Sequence, residues 1–144
     1  MSTSNDWFYW AALSAVFAAL TTIFAKIGLE GVDSDLATLV RTIVIVFVLG
    51  AFVMLTGKWT NPLTLSHRTL TFLVLSALAT GASWGSYFRA LKLGEASQVA
   101  PVDKFSLVLV AVFAFFFLGE RPVAREWLGI ALVTAGVLVL AIKR

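Results

Sequence analysis

Apolar positions fall in long, nearly unbroken runs, each close to the roughly 20 residues a helix needs to cross a bilayer core about 30 Å thick. Five such runs stand out: about 7–29, 36–56, 70–93, 99–118 and 122–142. Short segments with helix-stopping residues separate them. Gly31 with Asp33 and Asp35 divides the first two, and Asp33 or Ser34 is suited to cap the second. Gly57 to His67, containing Asn61-Pro62, is the longest connection. Gly94-Glu95-Ala96-Ser97 and Gly119-Glu120-Arg121-Pro122 make the others, with Pro122 fitted to a first helical turn. The pattern predicts an all-α membrane protein of five transmembrane helices. It forms a single antiparallel bundle over residues 1–144, with almost nothing left for a second domain.

Composition agrees with a lipid solvent. Hydrophobic residues make up 60% and charged residues 13% of the 144, against about 25% charged in a soluble domain, and the mean hydropathy is +0.94. The net charge of +3 is spread as single cations among apolar runs, so no patch follows a phosphate backbone and nucleic acid is not an expected partner. With no cysteine and one histidine, His67, no metal site, catalytic constellation or cofactor is expected, and the chain is not read as an enzyme. Residues 1–6 carry no positive charge and the first run is too long for a signal peptide, so it is expected to be a retained span. Trp7, Tyr9, Trp10, Trp59 and Trp127 lie near run ends, where interfacial aromatics anchor helices.

Five spans put the termini on opposite sides of the membrane. Lys26, Arg41, Arg89, Lys92, Lys104, Lys143 and Arg144 then sort to the C-terminal side, against Lys58, Arg68, Arg121 and Arg125. The total favours a cytoplasmic C-terminus. Leaving out Arg41 and Lys104, which fall inside helices, makes it five against four, a balance that allows both orientations. Lys26, Arg41, Arg89, Asp103 and Lys104 come from four runs but lie toward one membrane face. Two readings are open: snorkelling and interhelical salt bridges, or a polar vestibule with a cationic surplus suited to an anionic or zwitterionic solute. Asp103, the lone carboxylate well inside an apolar run, is expected to act as the counter-charge of Lys26, Arg41, Arg89 or Lys104 and not as a proton carrier, because adjacent cations favour its ionised form. With the fourth helix starting near Gln98, Asp103 is also expected to gain from the helix N-terminus.

Ser76, Thr80, Ser83 and Tyr87 recur at helical spacing and form one face of the third helix, flanked by Trp84. That face is expected to line a solute pathway; the alternative is that its hydroxyls bond their own backbone carbonyls. Beside it, Ala77, Gly81 and Gly85 make a small-residue stripe for close helix packing. Ala11, Ala15, Ala18, Thr22 and Lys26 line one face of the first helix, and Gly129 and Gly136 mark a packing or dimer face on the last.

Several stretches carry a family resemblance: Phe24-Ala25-Lys26-Ile27-Gly28-Leu29-Glu30, Arg89-Ala90-Leu91-Lys92-Leu93-Gly94-Glu95-Ala96, Ala100-Pro101-Val102-Asp103-Lys104 and Leu118-Gly119-Glu120-Arg121, followed by the glycine-spaced last helix. In this order they resemble the EamA-type drug/metabolite transporter superfamily, in its short five-helix bacterial and archaeal branch. The resemblance implies one EamA unit, half of the ten-helix inverted-repeat transporters that work by alternating access. It also implies a multi-pass protein of the bacterial or archaeal inner (plasma) membrane. The chain is similar as well to the four-helix small multidrug exporters that pair as antiparallel dimers, but it lacks their membrane-embedded Glu in the first helix. The expectation is a homodimeric secondary transporter, parallel or antiparallel with dual topology, for a small polar or amphiphilic metabolite or drug. A non-transporting assembly subunit and a lipid-linked substrate flippase are the alternatives.

Overall fold

The structure is a computed structural model that describes residues 6–142. Lys143 and Arg144, counted above in the charge balance, and residues 1–5 of the N-terminal reading lie outside the described residues. Among the described residues the regular structure is helical: α1 (Asp6–Gly28), α2 (Ser34–Leu55), α3 (His67–Leu93), α4 (Ala96–Asp103), α5 (Ser106–Phe113) and α6 (Ala124–Ala141). A 3₁₀ turn at Pro62–Thr64 precedes α3, and a π-helical turn at Ala114–Leu118 follows α5.

Four stretches are long and apolar enough to cross a membrane: Asp6–Gly28, Ser34–Leu55, Ala96–Leu118 and Ala124–Ala141. The fifth, α3, has 27 residues, about 40 Å at 1.5 Å per residue. Its length suffices, but its hydroxyls, glycines and terminal cations make it the least apolar of the five.

The chain divides into two compact units, Phe24–Leu93 on one hand and Met1–Ile23 with Gly94–Arg144 on the other. In the first unit α2 and α3 run antiparallel, the start of α2 against the end of α3. Asp33 begins α2: its Oδ1 accepts from the backbone N–H of Asp35 at 2.9 Å and of Leu36 at 3.2 Å. These two donors would otherwise be orphaned in the first helical turn. They lower the carboxyl below the usual carboxylate range, Leu36 contributing most, with Lys92 and Arg89 adding to the effect. Leu29, Ser34, Phe88 and Leu91 are the buried residues of this unit, all at the end where α1 stops, α2 starts and α3 stops.

In the second unit α6 packs on α4 and α5, burying Ala114 and Val137. The expected single helix over 99–118 begins earlier, at Ala96, and is interrupted. Pro101 lies inside α4, lacks an N–H and leaves the carbonyl four residues back without its helical donor. The break follows at Lys104-Phe105, where successive N–H groups bond three residues back, Lys104 to Pro101 and Phe105 to Val102, each at 3.0 Å. The π turn closes at Gly119, whose φ of 68° is left-handed and favours a residue without Cβ, while Glu120 N–H reaches Ala114 O at 3.2 Å. Glu126, three residues past the N-cap of α6, accepts from Val123 N–H at 2.8 Å.

Candidate functional site

The charged residues singled out in the sequence each find a specific environment. Arg89, in the last turns of α3, donates from Nη2 to Asp35 Oδ2 in the first turn of α2, 2.6 Å apart. This interhelical ion pair is largely exposed, at 63% and 58% of the two side chains. Lys26, near the end of α1, donates to Leu91 O at 2.6 Å. Lys92 donates to Val32 O at 2.8 Å. Lys26 thus satisfies a carbonyl that the end of α3 leaves open, as the helix dipole favours, while Lys92 satisfies a carbonyl of the α1–α2 turn.

Arg41 lies deeper. It stands seven residues after Ser34, the start of α2, about 10 Å along the axis. Its guanidinium carbon sits 3.9 Å from the centroid of Trp84 and 5.2 Å from that of Phe88. Trp84, Phe88 and Leu91 follow helical spacing on the buried face of α3, so the base is held against the core of this unit. Nη1 of Arg41 is buried and has no hydrogen-bond partner, and no other buried side-chain nitrogen or oxygen among the described residues shares that state.

In the other unit Asp103 meets Lys104, its sequence neighbour, at 3.3 Å, with side chains 35% and 52% exposed. Asp103 closes α4 instead of sitting in its first turn, so the expected gain from a helix N-terminus does not apply there. The reason is the earlier start of that helix at Ala96.

On α3, Ser76, Thr80 and Ser83 lie on a face that the chain's own side chains leave uncovered, while Trp84 and Tyr87 are partly covered. Thr80 Oγ1 donates to Ser76 O at 2.9 Å, so this hydroxyl bonds its own helix, as Ser86 does to Ala82 O, also at 2.9 Å. Tyr87 packs edge-on against Phe88, their ring centroids 6.4 Å apart. Ala77, Gly81, Gly85, Gly129 and Gly136 lie on faces with open or partial cover, and a Cβ built on any of those four glycines meets nothing within 4 Å. Sequence reading passed over Asp35 as an ion-pair partner and Phe88 as a wall of the Arg41 site. Phe88 lies four residues after Trp84 on the same face, a spacing that could have revealed it.

Comparison with known proteins settles the lineage: the model of the EamA-like transporter family matches residues 6–142. The chain belongs to the EamA-like transporter family. It is 55% identical over 139 residues to an uncharacterized transporter of Sinorhizobium sp, covering 96% of this chain and 99% of that protein. An uncharacterized protein of Methanocaldococcus jannaschii is 27% identical over 91% of this chain and 93% of its own length. A probable 4-amino-4-deoxy-L-arabinose-phosphoundecaprenol flippase subunit of Yersinia pestis, ArnE, is 32% identical over 75 residues, 52% of this chain and 66% of that protein. No solved structure matches the chain. The family membership and apolar helices make this EamA protein a multi-pass membrane transporter, consistent with the plasma membrane; the family and its relatives point to transport and not to an enzyme.

Proposed function

We propose that this EamA protein is a secondary transporter of a small polar or amphiphilic solute, that two copies assemble around the path, and that alternating access moves the solute between them. The observation that carries the reading is the polar face of α3. Ser76, Thr80 and Ser83 stand uncovered in a mostly apolar chain; Thr80 bonds its own helix at Ser76 O, while the hydroxyls of Ser76 and Ser83 are costly in hydrocarbon unless they meet protein or water. A second copy supplying the opposite wall removes that cost. One EamA unit matching the chain from 6 to 142 makes half of an inverted-repeat design, in which the solute site lies between repeats. Lys26, Arg41, Arg89, Asp103 and Lys104 are proposed as the cationic approach to the path, with the small faces at Ala77, Gly81, Gly85, Gly129 and Gly136 as packing surfaces.

Two measurements test this. Reconstituted protein is expected to move a solute down its gradient in proteoliposomes, with flux lost on Ser83→Trp; no flux across a broad solute panel overturns it and favours an assembly subunit. Cysteines at 76, 80 and 83 are expected to react with aqueous thiol reagents faster than cysteines at 73, 74 and 75. Equal inertness at all six would leave the stripe merely packed. A second reading, export or flipping of a lipid-linked substrate, is supported by the similarity to the Yersinia flippase subunit; dependence of flux on the lipid head group identifies it.

A further inference from the structure

We infer that Arg41 is an oxyanion-recognition residue: its guanidinium, stacked on Trp84 and Phe88 with Nη1 buried and unbonded, takes a carboxylate or phosphate group. The inference deepens the transport reading of this site and rests on it.

Four bases crowd the end of the Phe24–Leu93 unit, and three have acceptors within it. Arg89 has Asp35, Lys26 has the carbonyl of Leu91 and Lys92 that of Val32. Of the three carboxylates at this end, Asp33 Oδ1 accepts two backbone N–H groups of the α2 N-terminus, Asp35 holds Arg89, and Glu30 stands exposed on the α1–α2 turn; none of them pairs with Arg41. Arg41 alone of the four is met by rings. A ring face attracts the guanidinium through its quadrupole, at the distances seen here. A ring face is not a conventional acceptor for the N–H donors of a guanidinium, and Nη1 is buried with no hydrogen-bond partner. A donor that is both dry and unbonded is costly, more so on a charged group. The missing partner is therefore an acceptor that the unit does not supply.

Charge and shape define that partner. An uncompensated cation about 10 Å into the helix favours an anion over a neutral carbonyl. A planar fork of donors matches two oxygens of one carboxylate or phosphate, a geometry that an ammonium does not reproduce. Contact with two rings restrains the guanidinium beforehand, so less freedom is lost when the oxyanion docks. Arg41 as a whole is only partly buried, so the unit does not seal the side chain in. The oxyanion belongs either to a soluble anionic solute or to a lipid phosphate.

The full-length protein in phosphatidylcholine nanodiscs is titrated at constant ionic strength with sodium succinate and with sodium phosphate, and in a second arm phosphatidic acid is incorporated into the discs. The readout is the tryptophan fluorescence component that disappears in Trp84→Phe. A saturable change is expected in at least one arm, and the arm that saturates identifies the source as soluble or lipid-borne. Arg41→Lys, which keeps the charge and removes the fork, is expected to bind about tenfold or more weakly. Arg41→Gln is expected to lose the response, and the loop variant Lys58→Gln to retain it. Should Arg41→Gln not fold, Arg41→Lys with a normal elution profile decides the matter. Saturation in neither arm, or equal binding by wild type and Arg41→Lys, overturns the inference. Flux without oxyanion binding would refute this inference alone, whereas Arg41-dependent binding without flux of any solute would refute the transport reading alone.

Discussion

Leu91 and Leu93 offer a controlled comparison on one helix. Two residues apart near the end of α3, they are 0% and 90% exposed respectively. In a soluble core, Leu→Ala costs about 2.7–5 kcal/mol, combining lost transfer energy with the cavity left behind. Three carbons at about 0.8 kcal/mol each account for about 2.4 kcal/mol of transfer. The rest, about 0.3–2.6 kcal/mol, belongs to the cavity. Within a bilayer the transfer part disappears, because lipid tails are as apolar as leucine. Leu91 lies between these limits: its side chain is enclosed, while its carbonyl accepts from Lys26 and its neighbour Lys92 reaches out to Val32 O. Leu91→Ala is therefore expected to cost about 2 kcal/mol, and Leu93→Ala close to nothing. Reversible unfolding in mixed micelles with increasing dodecyl sulfate, followed by far-UV circular dichroism, gives both values. Because Leu91 shares its buried face with Phe88, the Leu91 variant should also loosen the wall behind Arg41 and weaken the fluorescence response assigned to Trp84. Equal costs at the two positions, or less than about 0.5 kcal/mol at Leu91, would refute the assignment of this helix end as the packed core of the unit.

Other expectations follow from the local geometry. The Asp33 carboxyl is lowered in the folded state, chiefly by Leu36 N–H, so its contribution to α2 is present above the unfolded carboxylate pKa and is lost as pH falls through the lower folded value. Amide exchange in the first turn of α2 should rise below about pH 4; Asp33→Asn, which keeps a cap, should abolish that pH dependence, and an unchanged profile would remove Asp33 from the cap. Asp103→Asn should change stability by less than about 1 kcal/mol, since its partner Lys104 is adjacent and both are partly exposed; a collapse of folded yield would mean that Asp103 meets another charge in the assembled protein. Gly119→Ala, at φ 68°, should cost about 1 kcal/mol in the same unfolding assay, and a neutral result would show that the π turn ends differently. Reporters fused to the C-terminus should appear on both membrane faces if the copies insert antiparallel; a single orientation leaves a parallel pair.

The apolar runs and the stops between them were legible because hydropathy and helix punctuation act locally. Asp33 could be marked as a cap from its place before an apolar run, and its two backbone bonds follow from that position. The interruption at Lys104-Phe105 was not legible, even with Pro101 in view, because the starting point of the helix decides whether a proline opens it or sits inside it. With α4 beginning at Ala96, the same proline breaks the hydrogen-bond ladder instead of capping it. Pairing was illegible for a different reason. Periodicity reports which face of a helix a residue occupies, but not which residue of a neighbouring helix arrives opposite. The Arg89–Asp35 bond depends on the register of α2 against α3. So does the position of Arg41 over Trp84: advancing six residues along α2 from Asp35 to Arg41 takes the opposing contact five residues back along α3, from Arg89 to Trp84.

That register also divides the work of the two arginines. Arg89 meets its carboxylate where both side chains are more than half exposed, in surroundings where water and salt screen the attraction and the pair contributes little to stability. Arg41, farther along α2, has rings in place of a carboxylate, and screening weakens as the surroundings become less polar. A fixed internal carboxylate beside Arg41 would satisfy the base permanently and leave nothing for an incoming anion to displace except that bond. Aromatic faces instead hold the cation in place while leaving Nη1 unclaimed, the condition a transporter needs if the solute is to bind and then leave. Placing a carboxylate there, as in Trp84→Glu, should therefore keep Arg41 in position but compete with every added oxyanion. Titrated as above with phosphate and succinate, and read by equilibrium dialysis because the fluorophore is gone, that variant is expected to bind at least about tenfold more weakly than Trp84→Phe. Undiminished binding in Trp84→Glu would mean that the oxyanion does not use the Arg41 fork.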